Sequence, residues 1–358
     1  MPPAPSSARA LQAILPQIAE NKPYEAHQKA RTFVARYVKS GQHDVAIDVL
    51  FQSARELLKA GHTGSGVDLG SFLIEVYDTA SVQVGPESRG QVKGRMTQLI
   101  ALTGPDGAWR KTLIDKTVAW SVKHGKYPAG DPELHHYCGE LLYREGAFEA
   151  AEQHLLNSAS RDSARLLAQM MFEWSRDGTN PGPFAIRGTI PYLLNTSILA
   201  ARTFLTTFIG LLLSSPQRAT IINQHFPDPI ILKSPDSDPD EVQITTDPTL
   251  NFLQLAIQTC QRAGWGPEAT TSDEERHNRV SREAWLRLAS RYRSRIVGGD
   301  VMRNIIDSLG DIYFDIPAPR KGGNPLQDMM SSFFGGGPAP DAGTKRKPRR
   351  ALTAGTLD

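Results

Sequence analysis

Cysteine is scarce in this sequence, with two among 358 residues. Cys138 and Cys260 lie far apart, and neither belongs to a C-x-x-C pair. This spacing excludes a disulfide framework and favours a reducing compartment, so we expect a cytosolic protein. The first residues, MPPAPSSARALQ, contain no apolar core of signal-peptide length and give no indication of secretion.

Signatures of catalysis are also missing. The sequence contains no G-x-S-x-G, no H-E-x-x-H and no Walker loop. The stretch GHTGSGVDLG (61–70) comes closest to a phosphate loop, but its glycines are one residue off the dinucleotide fingerprint. A phosphate loop follows a strand, whereas residues 44–61 have apolar side chains at helical spacing. We therefore expect the glycines to form a tight inter-helix turn, and we expect neither enzyme activity nor a cofactor.

A hydrophobic run long enough to span a membrane occurs at residues 190–213. Asn195, Arg202 and Thr206 would form a polar stripe along a helix of this length. Arg202 lies near its middle, where inserting an arginine costs about 2.5–3.5 kcal/mol. We expect one helix buried between other helices, and no direct membrane insertion.

Metal-ligand spacing is limited to HHYC, in which His135 and Cys138 would share a helix face. Because no second ligand pair with zinc-like spacing lies nearby, we expect structural roles and no metal. The basic run KRKPRR (345–350) could direct nuclear entry or bind nucleic acid, but no aromatic platform accompanies it. We expect no nucleic-acid partner, while a nuclear pool through Lys345–Arg350 stays open.

Helical periodicity is what the sequence does contain, over most of its length. Short breaks rich in turn residues favour antiparallel neighbours. GQHDVAIDVLFQSA (41–54) and GAFEAAEQHLLNSA (146–159) share five identities at an offset of 105 residues, about three periods of a tetratricopeptide-type helix pair. Chance similarity between amphipathic helices is the alternative. The predicted fold is all-α, an α-solenoid of tetratricopeptide-like helix pairs.

This predicted solenoid covers residues 10–316, between a disordered N-terminus (1–9) and a flexible basic C-terminal tail (317–358). The tail is rich in glycine and proline, which do not form a packed core. Within it, Leu326–Phe334 has apolar side chains on one face of a short helix. We expect this segment to dock on the C-terminal half or on its partner.

One small β-hairpin is predicted to interrupt the helices near residues 229–245. Two apolar runs, Ile230–Leu232 and Val242–Ile244, flank a polar turn. An isolated hairpin is marginal in water, so we expect it to pack on the helix predicted at 248–263. It would either cap the end of the solenoid or form one wall of an apolar groove. The groove residues would be Ile230, Ile231, Leu232, Val242, Ile244, Phe252, Leu253 and Leu255.

Two predicted helices have stripes of a single charge sign. The stripe on helix 24–40 is basic, and the stripe on helix 65–80 is acidic. They are either solvated faces that pair with each other or a two-signed patch that docks a charged partner. Asp68 falls in the first turn of its predicted helix, where the helix dipole favours an acid. The stripes consist of Lys29, Arg36 and Lys39, and of Asp68, Glu75 and Asp78.

Five stretches, in order from about residue 12 to 336, resemble the Golgi-to-ER traffic protein 4 family. They are YEAHQKARTFVARYVKSGQHDVAIDVL, GSGVDLGSFLIEVYD, GDPELHHYCGELLYREGAFEAAEQHLL, LNFLQLAIQTCQ and NPLQDMMSSFFGG. The sequence departs from shorter members of the family at residues 264–278 and in the tail after Gly337.

The resemblance implies a non-catalytic cytosolic adaptor of the guided-entry pathway for tail-anchored membrane proteins. About residues 10–160 would dock the homodimeric targeting ATPase. About residues 161–316, with the hairpin, would hold the N-terminal segment of a ubiquitin-like-domain partner. The adaptor would thereby link a glutamine-rich co-chaperone, which receives the tail-anchored substrate, to the ATPase. The alternative is a generic α-solenoid adaptor subunit of another trafficking or proteasome-lid-type assembly.

The resemblance also assigns residues by position. Asp68 matches a family acid at the ATPase interface, and Lys39 stands where a basic anchor is expected. Pro23 stands where some members have an aromatic anchor, with Tyr24 beside it. The predicted ATPase-docking residues are Tyr24, Lys29, Arg36, Lys39, Asp68, Glu75 and Asp78.

Overall fold

The computed structural model describes residues 7–85, 91–175, 180–215, 230–232, 240–263 and 272–317. Within these ranges the chain is almost entirely helical, which confirms the all-α prediction. The first helix begins at Ala8, so the end of the predicted disordered N-terminus is helical. The 326–334 segment and the 345–350 basic run lie outside the described residues, and so does most of the 264–278 departure.

The chain divides into two compact units, residues 1–176 with 206–211 and residues 177–205 with 212–358. The first unit contains nine described helices, which stack mainly on their neighbours in sequence. They are α1 (Ala8–Ala19), α2 (Pro23–Lys39), α3 (His43–Lys59), α4 (Thr63–Thr79), α5 (Gln91–Leu102), α6 (Trp109–His124), α7 (Pro132–Arg144), α8 (Phe148–Ser158) and α9 (Arg161–Trp174).

The second unit begins with α10 (Gly182–Leu194) and most of α11 (Ile198–Ser214). A two-stranded antiparallel hairpin follows, β1 (Ile230–Leu232) and β2 (Asp240–Val242). The chain then forms three further helices, α12 (Pro248–Arg262), α13 (Ser272–Tyr292) and α14 (Gly299–Phe314). Phe252 of α12 packs its ring against Trp285 and Tyr292 of α13, which builds the core of this unit.

One type of turn joins the first helices. The residues at positions 21, 41, 61 and 81 all have positive φ, so the turns recur every 20 residues. At the second turn the Gly41 N–H donates to the Val38 carbonyl (3.0 Å) and the Gln42 N–H to the Tyr37 carbonyl (2.8 Å). These bonds satisfy carbonyls that the helix end leaves unpaired, and they reverse the chain within three residues.

The sequence echo marks equivalent places in two such helix pairs. Gly41 and Gly146 both have positive φ and stand before the second helix of their pair, α3 or α8. The first shared alanine, the shared leucine and the shared serine are buried in both copies: Ala46 and Ala151, Leu50 and Leu155, Ser53 and Ser158. The echo therefore reflects a repeated packing arrangement. The continuous solenoid stays a prediction.

The glycine-rich stretch does not form the turn that the sequence predicts. α4 begins at Thr63, so Gly64, Gly66 and Gly70 lie inside the helix, and Gly61 alone makes the turn, with φ +81°. A Cβ added at Gly66 would lie 2.6 Å from Leu58 Cγ, and one added at Gly70 would lie 3.2 Å from Leu113 Cδ1. These two glycines let α4 approach α3 and α6 closely.

The single helix predicted at 190–213 is also wrong. α10 ends at Leu194 and α11 begins at Ile198, because Thr196 adopts φ 59° and turns the chain. Arg202 on α11 donates to the Gln261 side chain (3.3 Å) instead of facing a lipid or an apolar core. No helix in the described ranges is both long and apolar enough to cross a membrane.

The second strand of the β-hairpin lies two residues earlier than predicted, at Asp240–Val242 instead of Val242–Ile244. β2 ends at Val242, which pairs with Ile230, so Ile244 lies outside the strand. The chain leaving β2 is fastened to α12, because the Gln254 amide accepts from the Gln243 N–H (2.9 Å) and donates to the Gln243 carbonyl (2.8 Å). The Gln254 side chain thus makes the two main-chain hydrogen bonds that a neighbouring strand would make at Gln243, and these bonds support the short hairpin.

Gly66→Ala should lower the free energy of unfolding by about 1–3 kcal/mol, since the added Cβ forces Leu58 and the Ala54 carbonyl apart from α4. Gly94→Ala is the matched control. Gly94 is exposed on α5, and nothing lies within 4 Å of a Cβ added there, so the free energy of unfolding of this variant should rise by about 0.5–1 kcal/mol. Urea unfolding followed by circular dichroism measures both. Equal stabilisation by the two alanines would contradict the close packing of α4.

Candidate docking surface

Asp68 lies in the second turn of α4, not in the first, so the helix-dipole explanation for it fails. Its carboxylate accepts hydrogen bonds from Arg31 Nη1 (2.6 Å) and His27 Nε2 (2.7 Å), both on α2. Partial burial raises the pKa of Asp68, but the bonds from His27 and Arg31 outweigh it and hold this pKa below its usual value. Asp68 is therefore a carboxylate fastened to α2, with about half of its side chain still exposed.

The two charged stripes do not pair with each other in the described part of the chain. Asp78 accepts from Lys123 and from His124 Nε2 (2.6 Å), which ties the end of α4 to the end of α6. The hydrogen bond from His124 is the main cause that lowers the pKa of Asp78. Glu75 is exposed and forms no ion pair with any described residue. The stripe residues Lys29, Arg36 and Lys39 are also exposed.

Two of the exposed aromatic rings of the same unit lie on α2 and α6. Tyr24 is 69% exposed in the first turn of α2, next to Pro23 at the start of that helix. Trp109 is 48% exposed at the start of α6, and its ring lies against α4 at Gly64. Large exposed aromatic side chains are the anchors that protein interfaces favour. Tyr24 is thus accessible to a partner, whereas the sequence interpretation missed Trp109.

A cleft of about 300 Å³ lies between α2, α4 and α6. Arg31, Asp68, Phe72, Glu75, Trp109 and Lys116 are among its lining residues. The Arg31 guanidinium lies over the Phe72 ring, 5.2 Å from its centroid, in a cation–π arrangement. The sequence interpretation missed Arg31 and His27 too, although their spacing of four residues on α2 places them on one face.

The predicted groove residues are mostly packed in the second unit. Phe252 and Leu253 are fully buried, and Val242 is 1% exposed, so these three belong to the core. Ile244 and Leu255 are half-buried and keep accessible surface. At Ile230, Ile231 and Leu232 the strand backbone is what the structure describes.

His135 of the HHYC sequence is buried and pairs with His154 on α8. His135 Nε2 lies 2.9 Å from the Ala129 carbonyl and donates to it, so His135 Nδ1 accepts from His154 Nδ1 (2.9 Å). Burial raises the pKa of the Cys138 thiol to about 12, which keeps it protonated. Across the described ranges, no group of three or more histidines, cysteines or acids is placed to hold a metal ion.

Fold and surface together define a class: an all-helical protein built of antiparallel helix pairs, with charged and aromatic groups displayed on α2, α4 and α6. A family model described as Golgi to ER traffic protein 4 matches residues 40–334. The chain is 29% identical to Golgi to ER traffic protein 4 of Aspergillus fumigatus, over 96% of this chain and 93% of the relative. It is 28% identical to the Schizosaccharomyces pombe protein of that name, over 88% and 92%.

A solved crystal structure of C. therm. Get4 shares this fold, with a TM-score of 0.71 and 30% identity. The match covers 96% of this chain and 99% of that one. The chain belongs to the Golgi to ER traffic protein 4 family, a family involved in traffic between the Golgi and the ER. This confirms the resemblance drawn from the five sequence stretches.

Acid should destabilise the first unit through the His135–His154 pair. Burial lowers the pKa of both imidazoles, that of His154 to about 4, with His135 as its second cause. Between pH 6.5 and 4 the unfolded chain therefore binds protons that the folded chain does not. The neutral histidine pair therefore contributes to the free energy of unfolding above pH 6.5. On the order of 2 kcal/mol of this stability is lost as the pH falls towards 4. Urea unfolding at pH 7 and pH 4.5 measures the loss.

His154→Gln is the control, because glutamine keeps a hydrogen-bonding group at this position but does not titrate. The variant should lose less stability than the wild type between the two pH values. Comparing the variant with the wild type also cancels the effect of the acidic groups, which titrate in both chains. An identical loss in the two chains would rule out the histidine pair as the cause.

Proposed function

We propose that this chain is a non-catalytic adaptor that bridges a homodimeric targeting ATPase and a ubiquitin-like-domain partner. In this role it promotes the transfer of tail-anchored membrane proteins for insertion into the ER, and a glutamine-rich co-chaperone delivers the substrate. Membership of the Golgi to ER traffic protein 4 family supports a role in this traffic. We place the protein in the cytosol, with a nuclear pool through Lys345–Arg350 as a further possibility.

The position of the predicted docking residues on α2 and α4 is the observation that carries the proposal. The residues assigned to the ATPase lie on two helices that pack side by side in one unit, and Asp68 is bonded across from one to the other. Lys29, Arg36 and Lys39 are exposed, and no ion pair holds them within the described residues. Exposed charges of both signs set the association rate and the specificity of a protein complex more than its affinity.

The second partner is assigned to the second unit. Among the described residues only β2 pairs with β1, so the hairpin has one strand edge at β1, and Ile244 and Leu255 have half-buried side chains in the same unit. Such an edge can accept an extended segment by main-chain hydrogen bonds. A generic adaptor of another trafficking or proteasome-lid-type assembly remains the competing function. Pull-down with the nucleotide-loaded ATPase dimer separates the two, because the competing function predicts no capture.

Lys39→Glu and Asp68→Lys should each slow ATPase association severalfold at low salt, because each reverses a charge on the docking face. The difference from the wild type should shrink as salt is added. Stability should change by about 0.5 kcal/mol or less in Lys39→Glu, since Lys39 is exposed, whereas Asp68→Lys loses its bonds to Arg31 and His27 and should cost about 1 kcal/mol. Stopped-flow or surface-plasmon kinetics with the nucleotide-loaded ATPase measures the rates.

Lys126→Glu and Asp106→Lys are matched controls for these charge reversals. Both residues are exposed in the first unit, but neither lies on α2 or α4. They should leave the association rate close to that of the wild type. Normal association of both docking variants at low salt would show that the ATPase assignment is wrong.

Replacing residues 233–239 by Asn-Gly should impair binding of the ubiquitin-like-domain partner while sparing the helical fold. Leu232 pairs with Asp240, so a two-residue turn closes the hairpin in its present register. Co-purification with the partner's N-terminal segment measures binding, and circular dichroism measures folding. Capture of the ATPase by the same variant is the internal control and should be unchanged. Undiminished co-purification of the ubiquitin-like partner would count against this site.

A further inference from the structure

The cleft between α2, α4 and α6 already shows how it binds a cation. Arg31 lays its guanidinium on the Phe72 ring and donates to the Asp68 carboxylate at 2.6 Å. An aromatic face combined with a carboxylate is the arrangement that recognises an arginine side chain, because the planar guanidinium stacks and donates at the same time. Arg31 therefore acts as an internal ligand at one side of the cleft.

Part of the cleft is not used by Arg31. Glu75 is exposed without an ion pair, and Trp109 is 48% exposed without a ring or cation partner in the described part of the chain. Both line the same space of about 300 Å³, which is large enough for one long side chain. These two groups offer a second carboxylate and a second aromatic face to an incoming cation.

The charges of the cleft determine how a cation can enter. Asp68 and Glu75 line the cleft together with Arg31 and Lys116, so the formal charge of the lining is balanced, and an additional cation binds best where it displaces one of the two. Arg31 is the residue to be displaced, since it occupies the aromatic and carboxylate positions that a second guanidinium needs. The Arg31 and Asp68 side chains are 45% and 47% exposed, and an ion pair this exposed contributes little stability.

We propose that this cleft receives a single arginine side chain from a partner protein, and that Arg31 is the internal occupant which it displaces. The cleft adjoins the docking face on α2 and α4. The inference rests on the proposed function in one respect, that the targeting ATPase supplies the arginine. Arg31 then sets the affinity of the site, because every incoming side chain competes with it.

The test uses the full chain and a small probe, without the ATPase. N-acetyl-arginine methylamide is titrated into the deuterated protein, and the indole N–H signals of its five tryptophans are followed by NMR. Trp109→Phe assigns the signal of Trp109. We expect the arginine probe to shift this signal saturably, with a dissociation constant of about 1–10 mM. N-acetyl-citrulline methylamide has nearly the same shape without the charge, and it should bind at least about fivefold more weakly.

Two variants test the displacement. Arg31→Met removes the internal occupant and should tighten binding of the arginine probe about threefold or more, whereas Glu75→Gln should weaken it by a similar factor. Arg161→Met is the matched control, since it removes the same charge from an exposed position of the first unit that is neither in the cleft lining nor among the predicted docking residues, and it should leave the affinity for the probe unchanged. Circular dichroism verifies that each variant is folded.

Equal binding of the citrulline probe, or no shift of the Trp109 signal in both the wild type and Arg31→Met, would overturn the proposal. Unchanged binding in Arg31→Met relative to the wild type would overturn the role of Arg31. The ATPase is absent from these titrations, so their failure is distinguishable from failure of the adaptor function. Loss of ATPase docking with an intact arginine response would reject the ATPase as the source and retain the site.

Discussion

The surface of the first unit depends on one backbone constraint, the positive-φ turn that closes a helix and starts the next within three residues. Because this turn joins the helices at positions 21, 41 and 61, and a positive-φ residue also closes α4 at position 81, α2, α3 and α4 have equal lengths and reverse direction in step. α2 and α4 consequently run the same way and pack side by side along α3. This arrangement is what places Arg31 and His27 within hydrogen-bonding distance of Asp68.

Close helix contact adds the second requirement. Gly66 and Gly70 bring α4 against α3 and α6, and α6 in turn brings Trp109 to the surface beside α4. The cleft is thus a consequence of small residues inside a helix and not of a flexible loop. Arg31 and Asp68 are paired in the free protein, so a partner cation that displaces Arg31 exchanges one ion pair for another. Exchange of exposed pairs changes affinity little but makes the contact selective for charge and shape.

Periodicity in the sequence was sufficient to predict the helices, because helix packing imposes a 3.6-residue repeat on the apolar side chains. It failed at α4, where glycines that signal a turn serve helix contact, and at Thr196, where a non-glycine residue takes a left-handed turn. The exposed positions of Lys39 and Asp68 followed from spacing. The link from Asp68 to α2, and the contributions of Phe72 and Trp109, depend on tertiary packing that no local pattern encodes.

The central claim is that the α2–α4 face docks the targeting ATPase. Hydroxyl-radical footprinting of the chain with and without the ATPase tests it most directly, because exposed aromatic rings report contact through their oxidation rates. Tyr24 and Trp109 are 69% and 48% exposed, and Tyr127, outside this face, is 52% exposed and serves as the reference. The account predicts that the complex slows oxidation of Tyr24 and Trp109 and leaves Tyr127 unchanged. Unaltered oxidation of Tyr24 and Trp109 in a complex that has formed would contradict it.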